Sequence, residues 1–404
     1  MRMKRLKLIL PIALLLFLAI FFFFHSTKSD PNAPRYVPAH SQPTGPFGYE
    51  FVSGNREIPF HDGKSWIFTI IPPTNLHEYL YDVDNRKVLG ELLNGDVALA
   101  NSDQTKFLCL GSDSPLTSFK SRLASLLARA TFGKIQIAPK HVEYYWFLDL
   151  KNNSSRRAGE YTQTPGYAGG FWHSSPDFRY GYNAANNSAD EGKAFYLCDL
   201  DQESFDRINF AGEPLGWWDN RTLFARDPSH NLVLFDVATH KTSILLTFAA
   251  VKKRLAELQI TDYPIDFTAE FNWNGKNFDI YITGVPDFPS PTHNSFLLKL
   301  DRPGLNLKLI RRDFKFEWLG NLDATGDRYL YANLPGLYYG HGGVYLRYVT
   351  NDTEQTIVQP GNSNSWSFPK FYRDSIIYSR DGVLWRTDLN GSNTTRLFAP
   401  AVTN

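Results

Sequence analysis

Six carboxylates are the first candidates for chemistry in this 404-residue chain. Asp62, Asp103, Asp177, Asp219, Asp327 and Asp374 each stand at one place in a series of similar segments. Two carboxylates converging in a pocket could act as general acid and base on a glycosidic bond. Their regular recurrence argues against that. A catalytic pair breaks the symmetry of a repeat, whereas a turn residue follows it. A second group is aromatic and imidazole. Trp172 and His173 stand in GGFWHSSPD, and Tyr338, Tyr339 and His341 in GLYYGHGG. Aromatic side chains anchor binding surfaces, and glycines let a backbone approach a ligand closely. These five are the candidate binding residues. The competing reading is that the rings pack and cap strands. No catalytic residue is assigned. The chain has no G-x-S-x-G elbow, no P-loop, no G-x-G-x-x-G after a strand and no H-E-x-x-H. Its two cysteines, Cys109 in KFLCL and Cys198 in AFYLCDL, lie in apolar runs and read as buried thiols rather than a disulfide framework. With histidines scattered, no metal site and no cofactor is expected.

The elements that must position these groups come as a two-part unit, seen seven times between residues 60 and 400. Its first half is a polar Asp/Asn/Gly turn leading into an apolar run, as in HDGKSWIFTI (61–70), NSDQTKFLCL (101–110), SSPDFRYGY (174–182), WWDNRTLFA (217–225), WNGKNFDIYI (273–282), ATGDRYLYA (324–332) and YRDSIIYS (372–379). Its second half is an apolar run that turns at a polar residue and resumes, as in EYLYDVDNRKVLGEL (78–92) or LVLFDVATHKTSILL (232–246). The halves alternate without a leftover. Such turns tolerate positive φ and reverse a strand, and the Phe, Tyr, Val, Ile and Leu around them suit a half-buried pleated surface. A lone four-stranded sheet cannot bury both faces. Radial stacking can, so the pattern predicts an all-β, seven-bladed β-propeller over residues 48–404.

The turns SSPDFRYGY and LDATGDRYLYA resemble the SPDG turn of TolB-type, or WD40-like, propeller repeats, and DSIIYSRDGVLWRTDLNGSNTTRLF resembles a YWTD-type blade. The resemblance implies the propeller fold. It implies no particular activity, because propellers serve many functions. In this chain the units are degenerate, and none has the WD40 pair GH…WD.

Composition narrows the partners. With 42 basic and 41 acidic residues the net charge is +1, which gives no electrostatic basis for binding nucleic acid. At the N-terminus, a basic flank (1–7, MRMKRLK) precedes the uncharged run LILPIALLLFLAIFFFF (8–24). This reads as a transmembrane signal anchor, with the flank cytoplasmic and the remainder across the membrane, periplasmic in a bacterium. Residues 25–47 read as a Pro/Ser-rich tether. Asn152, Asn153, Asn186, Asn220, Asn351, Asn390 and Asn393 begin Asn-x-Ser/Thr sequons, which are glycan acceptors in a eukaryotic secretory protein and plain turn residues otherwise.

Extra length falls between unit halves, at 111–142, 183–193, 283–294 and 332–343. Two short helical insertions are expected, near 117–130 and 248–258, where apolar residues recur at helical spacing. In a propeller these connections leave on one face. The resulting expectation is a membrane-tethered, extracytoplasmic propeller that binds a protein or glycan partner on the insertion-bearing face. The alternative is a propeller enzyme, a glycoside hydrolase or lyase, using carboxylates or His in the central funnel. No C-terminal hydrolase domain is expected after the seventh unit.

Overall fold

The structure is a computed structural model that describes residues 33–38, 48–51, 67–71, 77–111, 141–163, 172–183, 194–260, 266–273, 278–285, 296–302, 304–312, 321–323, 325–332, 343–360, 369–380 and 383–398. Among them are seven antiparallel sheets. The strands of each sheet are named a to d in chain order. The first sheet has Gly48–Phe51, Ile67–Ile71, His77–Asp82 and Lys87–Leu93; the second Gly95–Ala100, Lys106–Gly111, His141–Asp149 and Ser154–Gln163. The third has Trp172–Ser174, Tyr180–Asn183, Ala194–Asp199 and Ser204–Asn209; the fourth Glu213–Trp217, Thr222–Arg226, Leu232–Asp236 and Lys241–Leu246. The fifth has Asp266–Trp273, Phe278–Val285, Phe296–Asp301 and Asn306–Arg312; the sixth Asn321–Leu322, Arg328–Ala332, Val344–Tyr348 and Glu354–Val358. The seventh has Lys370–Tyr372, Ser375–Arg380, Val383–Asp388 and Thr395–Phe398. In six sheets a bulge shifts the register between c and d, as at Leu80/Tyr81 and Leu384/Trp385. Bulges of this kind increase local twist.

The core shows that the sheets form a closed ring. Leu80 and Leu92 of the first sheet pack with Phe107 and Leu148 of the second. Leu108 and Phe147 of the second pack with Trp172 and Cys198 of the third. The same happens between third and fourth, fourth and fifth, fifth and sixth, and sixth and seventh. The last cluster joins Tyr372, Ile377 and Phe398 of the seventh sheet to Tyr81 and Val88 of the first. Every sheet buries both faces against its two neighbours, and the molecule is a β-propeller. Close approach at these seams is local. A Cβ on Gly181 of the third sheet would collide with the Leu99 side chain of the second.

Ring closure uses no shared strand among the described residues. Gly48–Phe51 is strand a of the first sheet, and all four strands of the seventh come from the C-terminal end. The first sheet instead gains a fifth strand, Arg35–Pro38, antiparallel to its strand d. It comes from the segment expected to be a tether. Tyr36 ties it down: its hydroxyl donates to the Leu89 carbonyl at 2.8 Å, and its N–H donates to Asn153 Oδ1 of the second sheet at 3.2 Å. The added strand covers what would otherwise be an open sheet edge.

The expected fold class is corrected in its helices. Among the described residues there is one α-helix, α1 (Phe248–Glu257), rather than two short helices and a membrane-spanning one. No helix there is long and apolar enough to cross a membrane. Ten residues of α1 extend about 15 Å, half a bilayer core, and the helix carries Lys252, Lys253 and Arg254. The span expected at 8–24 and the helix expected near 117–130 lie outside the described residues. α1 is capped by Thr247, whose Oγ1 accepts the Ala250 N–H at 3.2 Å. Val251 and Leu255 are buried between the fourth and fifth sheets. Arg312 of the fifth sheet donates to the carbonyls of Leu258 and Gln259 just past its C-terminus, where a cation is favoured.

Candidate functional site

Because a–b and c–d are hairpins, those turns lie on one side of the ring. The b–c and d–a connections lie on the other. On the turn side, the recurrent carboxylates hold backbone. Asp219 Oδ1 accepts the N–H groups of Arg221 (2.8 Å) and Thr222 (2.7 Å). Asp177 accepts the Ser175 hydroxyl at 2.6 Å and the Arg179 N–H at 3.2 Å. In the sixth sheet the carboxylate in this role is Asp323 rather than Asp327: its Oδ1 accepts the N–H groups of Asp327 (3.1 Å) and Arg328 (3.2 Å). Asp62 lies outside the described residues.

A second set of carboxylates, ending strand c, does the same for the c–d turns. Asp149 accepts from Lys151 and Asn152, Asp199 from Asp201 and Gln202, Asp236 from Ala238 and Thr239, and Asp388 from Ser392. These are Asx-turns, in which a side-chain oxygen replaces a backbone acceptor. The Asp388 carboxyl sits below its ordinary value because the Ser392 hydroxyl and turn N–H groups donate to it. For Asp149 and Asp236, burial pushes the carboxyl up, but hydrogen bonds from the turn outweigh it and the net shift is downward. Carboxylates held ionised by backbone donors are poor general acids. Two of these residues also link the hairpins of one sheet. Arg179 pairs with Asp199 at 2.8 Å, and Arg221 with Asp236 at 3.2 Å.

The a–b turns share one geometry in three sheets. The first residue (Asn101, Ser175, Asp323) donates its N–H to the carbonyl of the sixth (Lys106, Tyr180, Arg328), its side-chain oxygen accepts the sixth residue's N–H, and its carbonyl accepts from the fourth. That fourth residue has positive φ: Gln104 (54°), Phe178 (60°) and Gly326 (74°). The c–d turns also end on positive φ, at Arg86, Asn153, Glu203, His240, Leu305, Asp352 and Gly391. Only Gly326 and Gly391 of these are glycines; the others carry larger side chains.

Of the five candidate binding residues, two lie within the described structure. Trp172, 4% exposed, fills the seam between second and third sheets, edge-on to Tyr145 at 5.4 Å and 5.8 Å from Phe205. His173, next along the same strand a, points toward the fourth sheet. It is half-buried, stacked on Tyr182 at 4.8 Å, and its carbonyl accepts the Trp217 indole N–H at 2.9 Å. Trp217 in turn lies 5.8 Å from Tyr182 and 6.3 Å from Tyr180. Strand a thus sends alternate side chains to opposite seams, as strand geometry requires. Tyr338, Tyr339 and His341 lie outside the described residues. Both cysteines are buried thiols outside any disulfide, and burial pushes the Cys198 thiol well up. Among the described residues no cluster of His, Cys, Asp and Glu has the makings of a metal site.

Sequence reasoning did not single out the polar group at the closing seam. Tyr372 donates its hydroxyl to Asp84 Oδ1 at 2.6 Å, and Arg373 pairs with Asp84 at 2.9 Å. Tyr81 donates to the Leu397 carbonyl at 2.7 Å, its ring 5.2 Å from Phe398. Burial drives the Tyr81 hydroxyl up to about 12, with Arg86 pulling it down and Asp82 pushing it up. Tyr372 is raised further, by burial first and then by its bond to Asp84.

No protein-family model matches the chain, and neither does any curated protein. Solved structures do resemble it in fold. An uncharacterised protein of Listeria monocytogenes EGD-e matches with a TM-score of 0.50 at 10% identity, over 91% of this chain and 100% of that one. The β-propeller domain of the trilobed protease from Pyrococcus furiosus matches at 0.47 and 12%, over 92% and 100%. An oligogalacturonate lyase in complex with manganese matches at 0.48 and 11%, over 87% and 95%. At such identities the likeness concerns fold alone.

Proposed function

We propose that this propeller is a binding module for a protein or glycan partner, engaged on the side of the ring from which the long connections leave. The observation that carries this reading is the asymmetry between the two sides. On the turn side, acidic groups are already committed to the backbone of their own turns. On the other side, the connections 112–140, 184–193, 286–295 and 333–343 join strands b and c, and 164–171 and 313–320 join successive sheets. Long connections on a rigid scaffold can reach the roughly 800 Å² per partner of a standard interface, which tight self-satisfied turns offer poorly. Tyr338, Tyr339 and His341 are the proposed contacts. His173 and Trp172 stand where a connection re-enters the ring and would hold its base. The repeats are proposed to be of the SPDG-turn kind, a reading supported by the turn geometry common to residues 101–106, 175–180 and 323–328.

The test compares the two sides. The full chain and two variants, Tyr338→Ala/Tyr339→Ala and, on the turn side, Thr350→Ala, are used to capture partners from the source cells. Quantitative mass spectrometry reads the result. Expected is a loss of capture of about tenfold or more for the tyrosine variant, since aromatic hot spots are worth about 2 kcal/mol each, with Tm unchanged within a few degrees. Unchanged capture, or a collapse in stability, removes the tyrosines from the site.

A further inference from the structure

We infer that Phe178 is a cross-ring latch, a turn residue of the third sheet whose side chain helps hold the seventh sheet against the first. Phe178 has φ 60° at the turn position filled by Gly326 in the sixth sheet and Gln104 in the second. An aromatic residue is strained in this left-handed region and glycine is not. Such strain persists where the surroundings over-determine it.

The surroundings supply a reason. A hairpin turn of this type is normally solvated, yet Phe178 is 6% exposed. The core cluster it joins is not one of its own sheet's seams, which hold Leu200 on one side and Phe195 on the other. It joins Tyr81, Val83, Val88, Tyr372, Ile377, Leu384, Leu397 and Phe398. Those residues belong to the first and seventh sheets, two or more sheets away around the ring. The cluster is also where help is most needed. The first and seventh sheets share no described strand, so among the described residues their seam is held by side-chain packing and side-chain hydrogen bonds. A ring inserted from the third sheet adds apolar burial there and braces the seam against a sheet that does not take part in closure.

The experiment compares Phe178→Gly with Gln104→Gly in the full chain, by thermal unfolding and by native-state hydrogen exchange. Both substitutions relieve the same backbone strain. If Phe178 latches the ring, Phe178→Gly lowers Tm by about 5 °C, and amide exchange in Lys370–Tyr372 and Ser375–Arg380 quickens by about tenfold, while Leu232–Asp236 keeps its protection. Gln104→Gly raises Tm by about 1–3 °C. Phe178→Gly matching or exceeding the parent in Tm overturns the latch, as does faster exchange confined to the third sheet. Should Phe178→Gly fail to fold, Phe178→Leu decides on the same exchange pattern: quickening in the seventh sheet supports the latch, and quickening only in the third overturns it.

Discussion

The seam between third and fourth sheets and the seam between seventh and first solve one packing problem by different means. The former is an aromatic wedge. Phe195, Phe210 and Phe235 meet at centroid distances of 5.3 to 6.0 Å, with Tyr182 and Trp217 alongside. The chain runs from one sheet to the next through residues 210–212, so the partners are always near each other. The closing seam must join residues about 300 positions apart; where the third–fourth seam has the Trp217 indole on the His173 carbonyl, it has Tyr372 and Arg373 on Asp84, and Tyr81 on Leu397. Apolar contact is non-directional and tolerates sliding. A buried hydroxyl that must meet its acceptor does not. Both seams combine apolar burial with a directional bond; the seam between remote ends carries more of them, and an ion pair besides, which fixes its register.

The largest effect that would sharpen this contrast is expected in the aromatic wedge. Phe235→Ala should lower stability by about 3–5 kcal/mol, measured by urea unfolding, with the closing seam's exchange changed only through global opening. If the loss is under about 1 kcal/mol, the wedge is not what holds those sheets. A smaller effect is expected from Tyr372→Phe, which keeps the ring and deletes the bond to Asp84. It should cost about 1–3 kcal/mol, and should quicken exchange first in the seventh sheet. Uniform quickening across all sheets would mean that the closing seam has no local weakness.

The same tyrosines predict an alkaline limit. Their folded values lie above the ordinary 10.0, so the neutral hydroxyl is favoured in the folded state. The stability they lend is fully present below pH 10 and is lost as pH rises through the folded value, about 12 for Tyr81. Equilibrium unfolding at pH 8 and pH 11.5 should show a smaller pH-dependent loss in Tyr81→Phe than in the parent; equal losses would remove Tyr81 from the account. The smallest effect concerns an exposed turn beside the aromatic wedge. His240→Gly, at φ 55° in an exposed turn, should stabilise by about 0.5–1 kcal/mol. A destabilised variant would show that the imidazole, 6.0 Å from Phe235, contributes to the neighbouring wedge.

The repeats were legible because their signals are local. Alternating apolar runs and Asx-turn residues act over a few positions, and the turns at 101–106, 175–180 and 323–328 follow from them. The candidate site was less legible. Strand periodicity alone sends Trp172 and His173 to opposite seams, a split that the string GGFWHSSPD does not announce. The six turn aspartates were read as structural from their recurrence, and the hydrogen bonds of Asp177 and Asp219 agree.

What the sequence determined by itself is the unit: strands, hairpins, their sevenfold alternation and the side of the ring on which extra length leaves. Each is set by φ/ψ preference and by the two-residue period of a strand, which neighbours along the chain enforce. Only the tertiary structure decided that Arg35–Pro38 becomes a fifth strand of the first sheet, that no described strand is exchanged at closure, and that Phe178 reaches the first and seventh sheets. Those outcomes depend on which surfaces are left uncovered once seven sheets have stacked. That is a property of the closed ring, and no short stretch of the chain encodes it.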